Sequence, residues 1–267
     1  MELITIILSS LFTLISPVGV VADQVAAGVI RDRVHQADIL TVRIDNLPTF
    51  QLVGGRVDRV RLAGRGVYLT PEFRIDTIDV ETDPIDIDLP ALQAGELALD
   101  EPIQSAARLV LKAEDINVLL QSERVQELLD DLRFSLPGAT RRESRRYGLA
   151  NPQVEFLADN RLRATVELED RVQDVDVKAQ IESGLVVVDG HRLELVEPTL
   201  VVDGQPAPQQ LIEAFTQGLR SELTLKQLEA VNVTARVLQF ELHPEALDIA
   251  MFIRVNPDSP LLGRNGN

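Results

Sequence analysis

The sequence predicts an α+β protein built on a mostly antiparallel β-sheet with few helices. Apolar and polar residues alternate over many short stretches, which is typical of strands that bury one face. Glycine and proline pairs separate these stretches. Two or three modest helices cannot cover the apolar faces of about ten strands. The sheet must therefore close on itself, pack as a sandwich or hold an apolar ligand.

A strand is predicted over Ile39–Asp45, and further strands between residues 51 and 89. Val60 and Leu62 alternate with charged residues, and so do Ile78 and Val80. Each pair therefore shares one face of its strand. Gly64-Arg65-Gly66 lies within this stretch, and we predict a bend or a turn there rather than a phosphate-binding loop, since no GxGxxG or GxxxxGK[ST] pattern is present.

The second half repeats the alternation. Apolar residues fall at every second position over 162–168, 175–181 and 247–255. Ser183-Gly184 and Asp189-Gly190 have the composition of hairpin turns, so we predict a short strand between them.

Three segments have helical spacing instead: residues 23–34, 114–132 and 209–219. The middle segment is either one helix or two, because Asp115 and Ser122 are both suitable N-caps.

Composition excludes several functional classes. Of the 267 residues, 45% are hydrophobic but only 4% aromatic, so the protein lacks a stacking platform for bases or sugars. The formal net charge of −16 disfavours nucleic acid, and only a local basic patch would dock on an anionic membrane. The absence of cysteine excludes disulfides, thiolate nucleophiles and cysteine metal sites.

The chain divides into three parts by pattern. Residues 1–22 include an uncharged stretch of bilayer length, which is a signal peptide, a membrane anchor or a helix of the fold. We predict a single α+β domain over residues 23–256 and a flexible tail over 257–267.

No catalytic pattern stands out. His35, His191 and His243 are isolated in sequence, and GxSxG and SxxK are absent. Asp86 and Asp88 alternate with isoleucines, which indicates a solvated strand face rather than a glycosidase pair. We therefore expect no enzymatic activity, no metal and no cofactor.

Several segments, in order, carry a resemblance to a known family. They are residues 23–34, 42–44, 55–60, 78–84, 111–122 and 234–238. Over about residues 20–255 the chain resembles the LmeA-like phospholipid-binding family, and residues 15–19 are most similar to cyanobacterial members. The resemblance implies a phospholipid-binding protein of the cell envelope. It also implies a strongly curved sheet wrapped around amphipathic helices, similar to tubular lipid-binding folds.

The apolar alternating positions are the candidate groove for acyl chains. They are Val60, Leu62, Ile78, Val80, Leu119, Leu128, Leu132, Leu162, Val166, Leu168, Val175, Val177, Leu247, Ile249, Met251 and Ile253, and some of them must instead be ordinary core. The candidate head-group contacts are Arg141, Arg142, Arg145 and Arg146, since arginine matches phosphate geometry.

The main functional hypothesis is non-enzymatic phospholipid binding, with lipid transfer as an extension. The expected partners are phospholipid and the membrane surface, without nucleic acid, and protein partners are undefined. We expect membrane association on the envelope or periplasmic side, with the cytoplasmic face left open. The alternative is a membrane-tethered scaffold that assists assembly of envelope glycolipids, and an enzyme acting on lipids or glycans ranks third.

Overall fold

A computed structural model describes residues 34–45, 55–88, 90–91, 98–131, 147–170 and 175–262. The strands are β1 (Gln36–Asp45), β2 (Arg56–Val57), β3 (Arg59–Thr70), β4 (Phe73–Thr82), β5 (Ile85–Asp86), β6 (Ile103–Lys112), β7 (Tyr147–Leu157), β8 (Arg161–Asp170), β9 (Val175–Val188), β10 (Arg192–Val202), β11 (Gln205–Pro206), β12 (Val233–Leu242) and β13 (Ala246–Val255). The α-helices are α1 (Ala113–Leu120), α2 (Glu123–Asp131) and α3 (Gln209–Glu222), and 3-10 helices cover Leu225–Val231 and Pro260–Leu262.

The strands form two large sheets. The first has six strands in the order β1-β3-β4-β6-β13-β12, and the second has five in the order β11-β10-β9-β8-β7. The short strands β2 and β5 make a separate ribbon. Every pairing is antiparallel, which confirms the predicted sheet type. Neither sheet closes on itself within the described residues, and the wrapping of a curved sheet around helices stays a prediction.

The hydrophobic core lies on one face of the six-stranded sheet. Ile78, Leu109, Met251 and Ile253 contribute to it from the three central strands, and each is buried. The ribbon, the two 3-10 helices and the start of α1 supply the covering side chains, including Ile85, Ile87, Ile116, Leu228 and Leu262. This sheet therefore has the ordinary arrangement of one covered and one solvated face.

Gly64-Arg65-Gly66 is not a turn, because β3 runs through it. A methyl group on Gly64 would lie 2.6 Å from the Val67 Cγ2 atom and 2.7 Å from the Ile78 Cγ2 atom. Gly66 has φ of +56°, a value that favours glycine. The first glycine thus gives room for close packing, and the second allows a local bend within a continuous strand.

Ser183-Gly184 is not a turn either, so the predicted break in β9 is wrong. Val196 on β10 fills the space above Gly184, where an added Cβ would lie 3.2 Å from the valine Cβ. The buried Ser183 hydroxyl donates a hydrogen bond to the Val196 carbonyl oxygen, at 3.0 Å. Ser183 and Gly184 therefore serve packing between neighbouring strands and do not form a turn. Asp189 and Gly190 do form the predicted turn between β9 and β10, each with positive φ.

The middle helical segment is two helices. The first ends at Leu120 with Gln121 as its C-cap. Ser122 caps the second, because its Oγ atom accepts a hydrogen bond from the Val125 amide, at 3.4 Å. The prediction of Asp115 as an N-cap is wrong: α1 begins two residues earlier, and Asp115 lies in its first turn.

The two sheets meet where β12 passes the turns of the second sheet. The Val237 amide donates a hydrogen bond to the Gly190 carbonyl oxygen at 2.6 Å. The Leu242 amide donates to the Asn160 Oδ1 atom, also at 2.6 Å. The segment predicted as a flexible tail contributes Ser259 and Leu262 to the buried interior, and the domain boundaries stay a prediction.

Two buried serines make a matched test of this packing. The Ser105 hydroxyl is buried without a hydrogen-bond partner among the described residues, whereas the Ser183 hydroxyl is bonded. Removal of an unpaired hydroxyl removes a desolvation cost, but removal of a paired one loses about 1 kcal/mol. We expect Ser105→Ala to leave the free energy of unfolding in urea unchanged or raised, and Ser183→Ala to lower it. Equal destabilisation by both variants would contradict the assignment of Ser105 as unpaired and of Ser183 as hydrogen-bonded.

Candidate functional site

The five-stranded sheet carries an apolar face that is only partly covered. The strand register aligns Val154, Ala164, Ile181 and Leu200 across four strands on one side of the sheet. The described residues of this apolar face are Leu149, Val154, Phe156, Leu162, Ala164, Val166, Val177, Ala179, Ile181, Ser183, Leu185, Val187, Leu193, Leu195, Leu200 and Val202. Leu149, Phe156 and Ser183 are buried, and all the others are half-buried.

The opposite face of the same sheet is ionic. Glu182 accepts hydrogen bonds from Arg163 at 3.1 Å and from Arg161 at 3.2 Å, and Arg163 also donates to Glu155 at 2.6 Å. The hydrogen bond from Arg163 holds the pKa of Glu182 below its ordinary value. The charged side chains of this face bond to one another and to water, so only the apolar face still requires a cover.

Helix α1 bridges the two sheets. Ile116 and Leu119 pack against the core of the six-stranded sheet. On the other side, the Asn117 side chain donates to the Val154 carbonyl oxygen at 2.9 Å and accepts from the Val154 amide at 2.8 Å. Gln121 donates to the Pro152 carbonyl oxygen at 2.7 Å. These bonds satisfy backbone groups of β7, an edge strand of the second sheet, and fix the helix beside the apolar face.

Ion pairs hold the start of α1 on the first sheet. Arg74 on β4 donates to the Asp115 carboxylate at 2.8 Å, and the Lys112 ammonium lies 2.9 Å from Asp76. Burial raises the pKa of Asp115, against the opposing effect of Arg74. The hydrogen bond from Lys112 lowers the pKa of Asp76. The bridge is therefore attached by hydrophobic contacts and charges on one sheet, and by neutral hydrogen bonds on the other.

At the other side of the sheet, α3 lies against β10. Leu211 and Ile212 are half-buried, and the Ala207 amide before the helix donates to the Leu200 carbonyl oxygen at 2.8 Å. The apolar face is thus flanked by α1 and α3, while its central strands β8 and β9 have no buried residue except Ser183 and Gly184 among those described.

The predicted groove residues divide between the two sheets. Leu162, Val166 and Val177 lie together on the apolar face, and Leu168 and Val175 occupy register positions in the same two strands. The others belong to the core of the six-stranded sheet or its margin: Leu62, Ile78, Val80, Met251 and Ile253 are buried, and Val60, Leu119, Leu247 and Ile249 are half-buried. Leu128 lies in α2. Contact of any of these residues with lipid stays a prediction.

The remaining predictions concern residues that the structure does not describe. Leu132 and the head-group candidates Arg141, Arg142, Arg145 and Arg146 lie outside the described residues, as do residues 1–22. Within the described ranges, no helix is long and apolar enough to cross a bilayer.

The sequence prediction missed part of the apolar face. Ile181, Leu185, Leu193, Leu195 and Leu200 belong to it. Alternation placed each of them in a strand, but the bulge in β10 between Val196 and Thr199 and the continuity of β9 decide which face they share. The sequence pattern indicated the shared face of Ile181 alone, because Ile181 continues the alternating series Val175–Val177–Ala179.

No metal-binding cluster is found in the described part of the chain. It contains no group of three or more His, Asp or Glu residues placed to hold a metal ion. His191 is buried with its Nδ1 atom 2.9 Å from the Asp189 carbonyl oxygen, and His243 lies beside Glu241.

A comparison with family models decides the relationship. The model described as LmeA-like phospholipid-binding matches residues 15–252, most of the chain. The chain belongs to the LmeA-like phospholipid-binding family. No curated protein and no solved structure matches the sequence. The resemblance identified from short segments is therefore confirmed over both sheets, except for the last three residues of β13.

Family membership supports phospholipid binding. For this LmeA-like protein, the half-covered apolar face provides a surface with the right chemistry for acyl chains, because fourteen of its sixteen residues are aliphatic and the exceptions are Phe156 and Ser183.

The α1 bridge can be tested by removing one side chain. Asn117→Ala breaks both hydrogen bonds to Val154, and we expect the free energy of unfolding to fall by about 1–2 kcal/mol. Val118→Ala is the matched control, since Val118 is the next residue in the helix and is exposed. Chemical denaturation of both variants measures the difference. Equal stability of the two variants would show that Asn117 does not join the sheets.

Proposed function

We propose that this protein is a non-enzymatic phospholipid-binding protein that holds acyl chains on the apolar face of the five-stranded sheet. The observation that carries the proposal is the contrast between the two sheets. The centre of the inner face of the first is buried by the protein's own residues, whereas the described apolar-face residues of β8, β9 and β10 in the second are half-buried, with Ser183 the exception. A sheet face of this composition is expected to acquire an apolar cover.

Acyl chains meet that requirement energetically. Each methylene removed from water contributes about 0.8 kcal/mol, so ten buried methylenes contribute about 8 kcal/mol before the cost of ordering the chain. Apolar contact alone therefore suffices for stable binding, without a specific site for the head group.

The chemistry of the face favours flexible chains over rigid ligands. Its half-buried members are Val, Leu, Ile and Ala, with no aromatic side chain among them. Among the sixteen side chains named above, the one hydroxyl, that of Ser183, is already bonded to the Val196 and Gly184 carbonyl oxygens. These side chains therefore offer dispersion contacts and no free polar group that would select a sugar or a nucleotide.

Two extensions belong to the same proposal. A protein that covers acyl chains with one sheet face can release them into another membrane, so lipid transfer follows from reversible binding. Location in the cell envelope follows from the family resemblance and from the apolar start of the chain.

Adjacent residues on opposite faces of β8 test the proposal. Val166 lies on the apolar face and Thr165 on the ionic face. We expect Val166→Asp to reduce phospholipid that co-purifies with detergent-free protein at least tenfold, because a carboxylate would be buried against acyl chains. Thr165→Asp should leave the lipid content unchanged. The readout is lipid extraction followed by mass spectrometry.

Circular dichroism confirms that both variants are folded before the lipid content is compared. Unchanged lipid in folded Val166→Asp protein would place the lipid elsewhere. Wild-type protein that carries no phospholipid and acquires none from vesicles would refute phospholipid binding itself.

A further inference from the structure

We propose that a bound phospholipid lies along strands β8 and β9, with the ends of its acyl chains toward β12 and its head group at the opposite end of the sheet, beside Asp203 and Gly204. The proposal rests on the proposed function, because it concerns the same apolar face. It adds a direction to the binding, since one end of the face is the closed end of the site and the other is its mouth.

Strand β12 crosses one end of the five-stranded sheet. The Val237 amide donates to the Gly190 carbonyl oxygen at 2.6 Å, in the turn between β9 and β10. The Leu242 amide, at the end of the same strand, donates to the Asn160 Oδ1 atom at 2.6 Å, in the turn between β7 and β8. Alternate turns of an antiparallel meander lie at the same end of the sheet. Both bonds therefore lie at one end, which we call the closed end.

A second segment joins the closed end to the first sheet. The Leu193 amide, at the start of β10, donates to the Leu223 carbonyl oxygen at 2.9 Å, and the Leu225 amide donates to the His191 carbonyl oxygen at 2.7 Å. The Leu225 side chain packs against the core of the six-stranded sheet. An acyl chain that extended past this end would have to break backbone hydrogen bonds, which is unfavourable in a buried position.

Helices border the two long sides of the apolar face. Helices α1 and α2 lie against β7, where Asn117 and Gln121 bond to its backbone. Helix α3 lies against β10. It begins at Gln209, shortly after β11, and ends at Glu222, directly before the Leu223 that bonds at the closed end. The direction along β8 and β9 is therefore the one left for a long ligand.

This direction is long enough for an acyl chain. Strand β8 has ten residues. At about 3.3 Å per residue, it spans about 33 Å. The acyl chains of one leaflet occupy about half of a bilayer core of about 30 Å. A chain laid along β8 from the mouth therefore fits within the length of the face.

The end opposite β12 is exposed. Asp203 and Gly204, which form the turn between β10 and β11, are exposed, and so are both residues of β11. Among the described residues, nothing lies within 4 Å of a Cβ atom added to Gly204. Lys178, whose carbonyl oxygen accepts a hydrogen bond from the Asp203 amide at 2.8 Å, is exposed as well. We call this end the mouth.

The charge of the head group decides which end it occupies. A phosphate at the mouth keeps its water. At the closed end it would be desolvated, and burial of an unpaired charge is strongly unfavourable. None of the sixteen described residues of the apolar face is charged, so none of them would compensate the phosphate. The acyl chains therefore lead into the site, and the head group stays at the mouth.

Single-tryptophan fluorescence tests this orientation, because the chain contains no tryptophan of its own. Leu162→Trp places the indole near the closed end, at the second residue of β8. Val177→Trp places it near the mouth, opposite Leu168, which lies six residues further along β8. Thr165→Trp, on the ionic face, is the control. Each full-length variant is loaded from vesicles of phosphatidylcholine that carries a nitroxide on carbon 5 or carbon 16 of one acyl chain.

We expect the nitroxide on carbon 16 to quench Leu162→Trp about twofold more than the nitroxide on carbon 5, because the chain is long enough to separate its two ends. For Val177→Trp the order should be reversed, and neither nitroxide should quench Thr165→Trp. Leu195→Trp and Val202→Trp on β10 are a second pair. They replace the first if circular dichroism shows an unfolded variant or if a variant carries less phospholipid than wild type.

The outcomes separate this inference from the proposed function. A reversed order, or equal quenching by the two nitroxides at both apolar-face tryptophans, would overturn the orientation and leave lipid binding on this face in place. Lipid-loaded variants whose apolar-face tryptophans are quenched by neither nitroxide would overturn both hypotheses, because the lipid would then lie elsewhere.

Discussion

The half-covered apolar face of the five-stranded sheet is the constraint on which the functional interpretation depends. An antiparallel sheet tolerates one solvated face, and here that face is the ionic one, held by Arg161, Arg163 and Glu182. The other face then has to be buried. The six-stranded sheet meets this need with its own ribbon, 3-10 helices and α1. Among the described side chains on the apolar face of the five-stranded sheet, only Leu149, Phe156 and Ser183 are buried, so an external apolar ligand completes this sheet in our proposal.

The connection between the sheets gives this arrangement its geometry. Helix α1 contributes Ile116 to one sheet and Asn117 to the other, from adjacent positions in the same turn. The junction of β12 with Gly190 and Asn160 joins the sheets a second time. The apolar face is therefore positioned by a packed sheet on one side. In our proposal its lipid cover is exchangeable, so stability and ligand exchange belong to different sheets.

Local pattern was enough to predict most strands but not their faces. The alternation over 247–255 predicted β13. The pair Asp189-Gly190 predicted the turn between β9 and β10. Ser183-Gly184 was wrongly predicted as a turn because serine and glycine are common in turns. In the structure, Gly184 instead leaves room for the side chain of Val196 on the neighbouring strand. The division of the candidate groove between two sheets could not be predicted, since Ile78 and Val166 have equivalent alternation and differ only in what packs above them.

Photo-crosslinking tests the central claim most directly. Detergent-free protein is loaded with a phospholipid that carries a diazirine on one acyl chain, irradiated and digested, and the modified peptides are identified by mass spectrometry. The account predicts that crosslinks concentrate on β8, β9 and β10, at apolar-face residues such as Val166, Ile181 and Leu195. Crosslinks concentrated instead on β3, β4 and β13, around Ile78 and Met251, would contradict it and place the acyl chains within the six-stranded sheet.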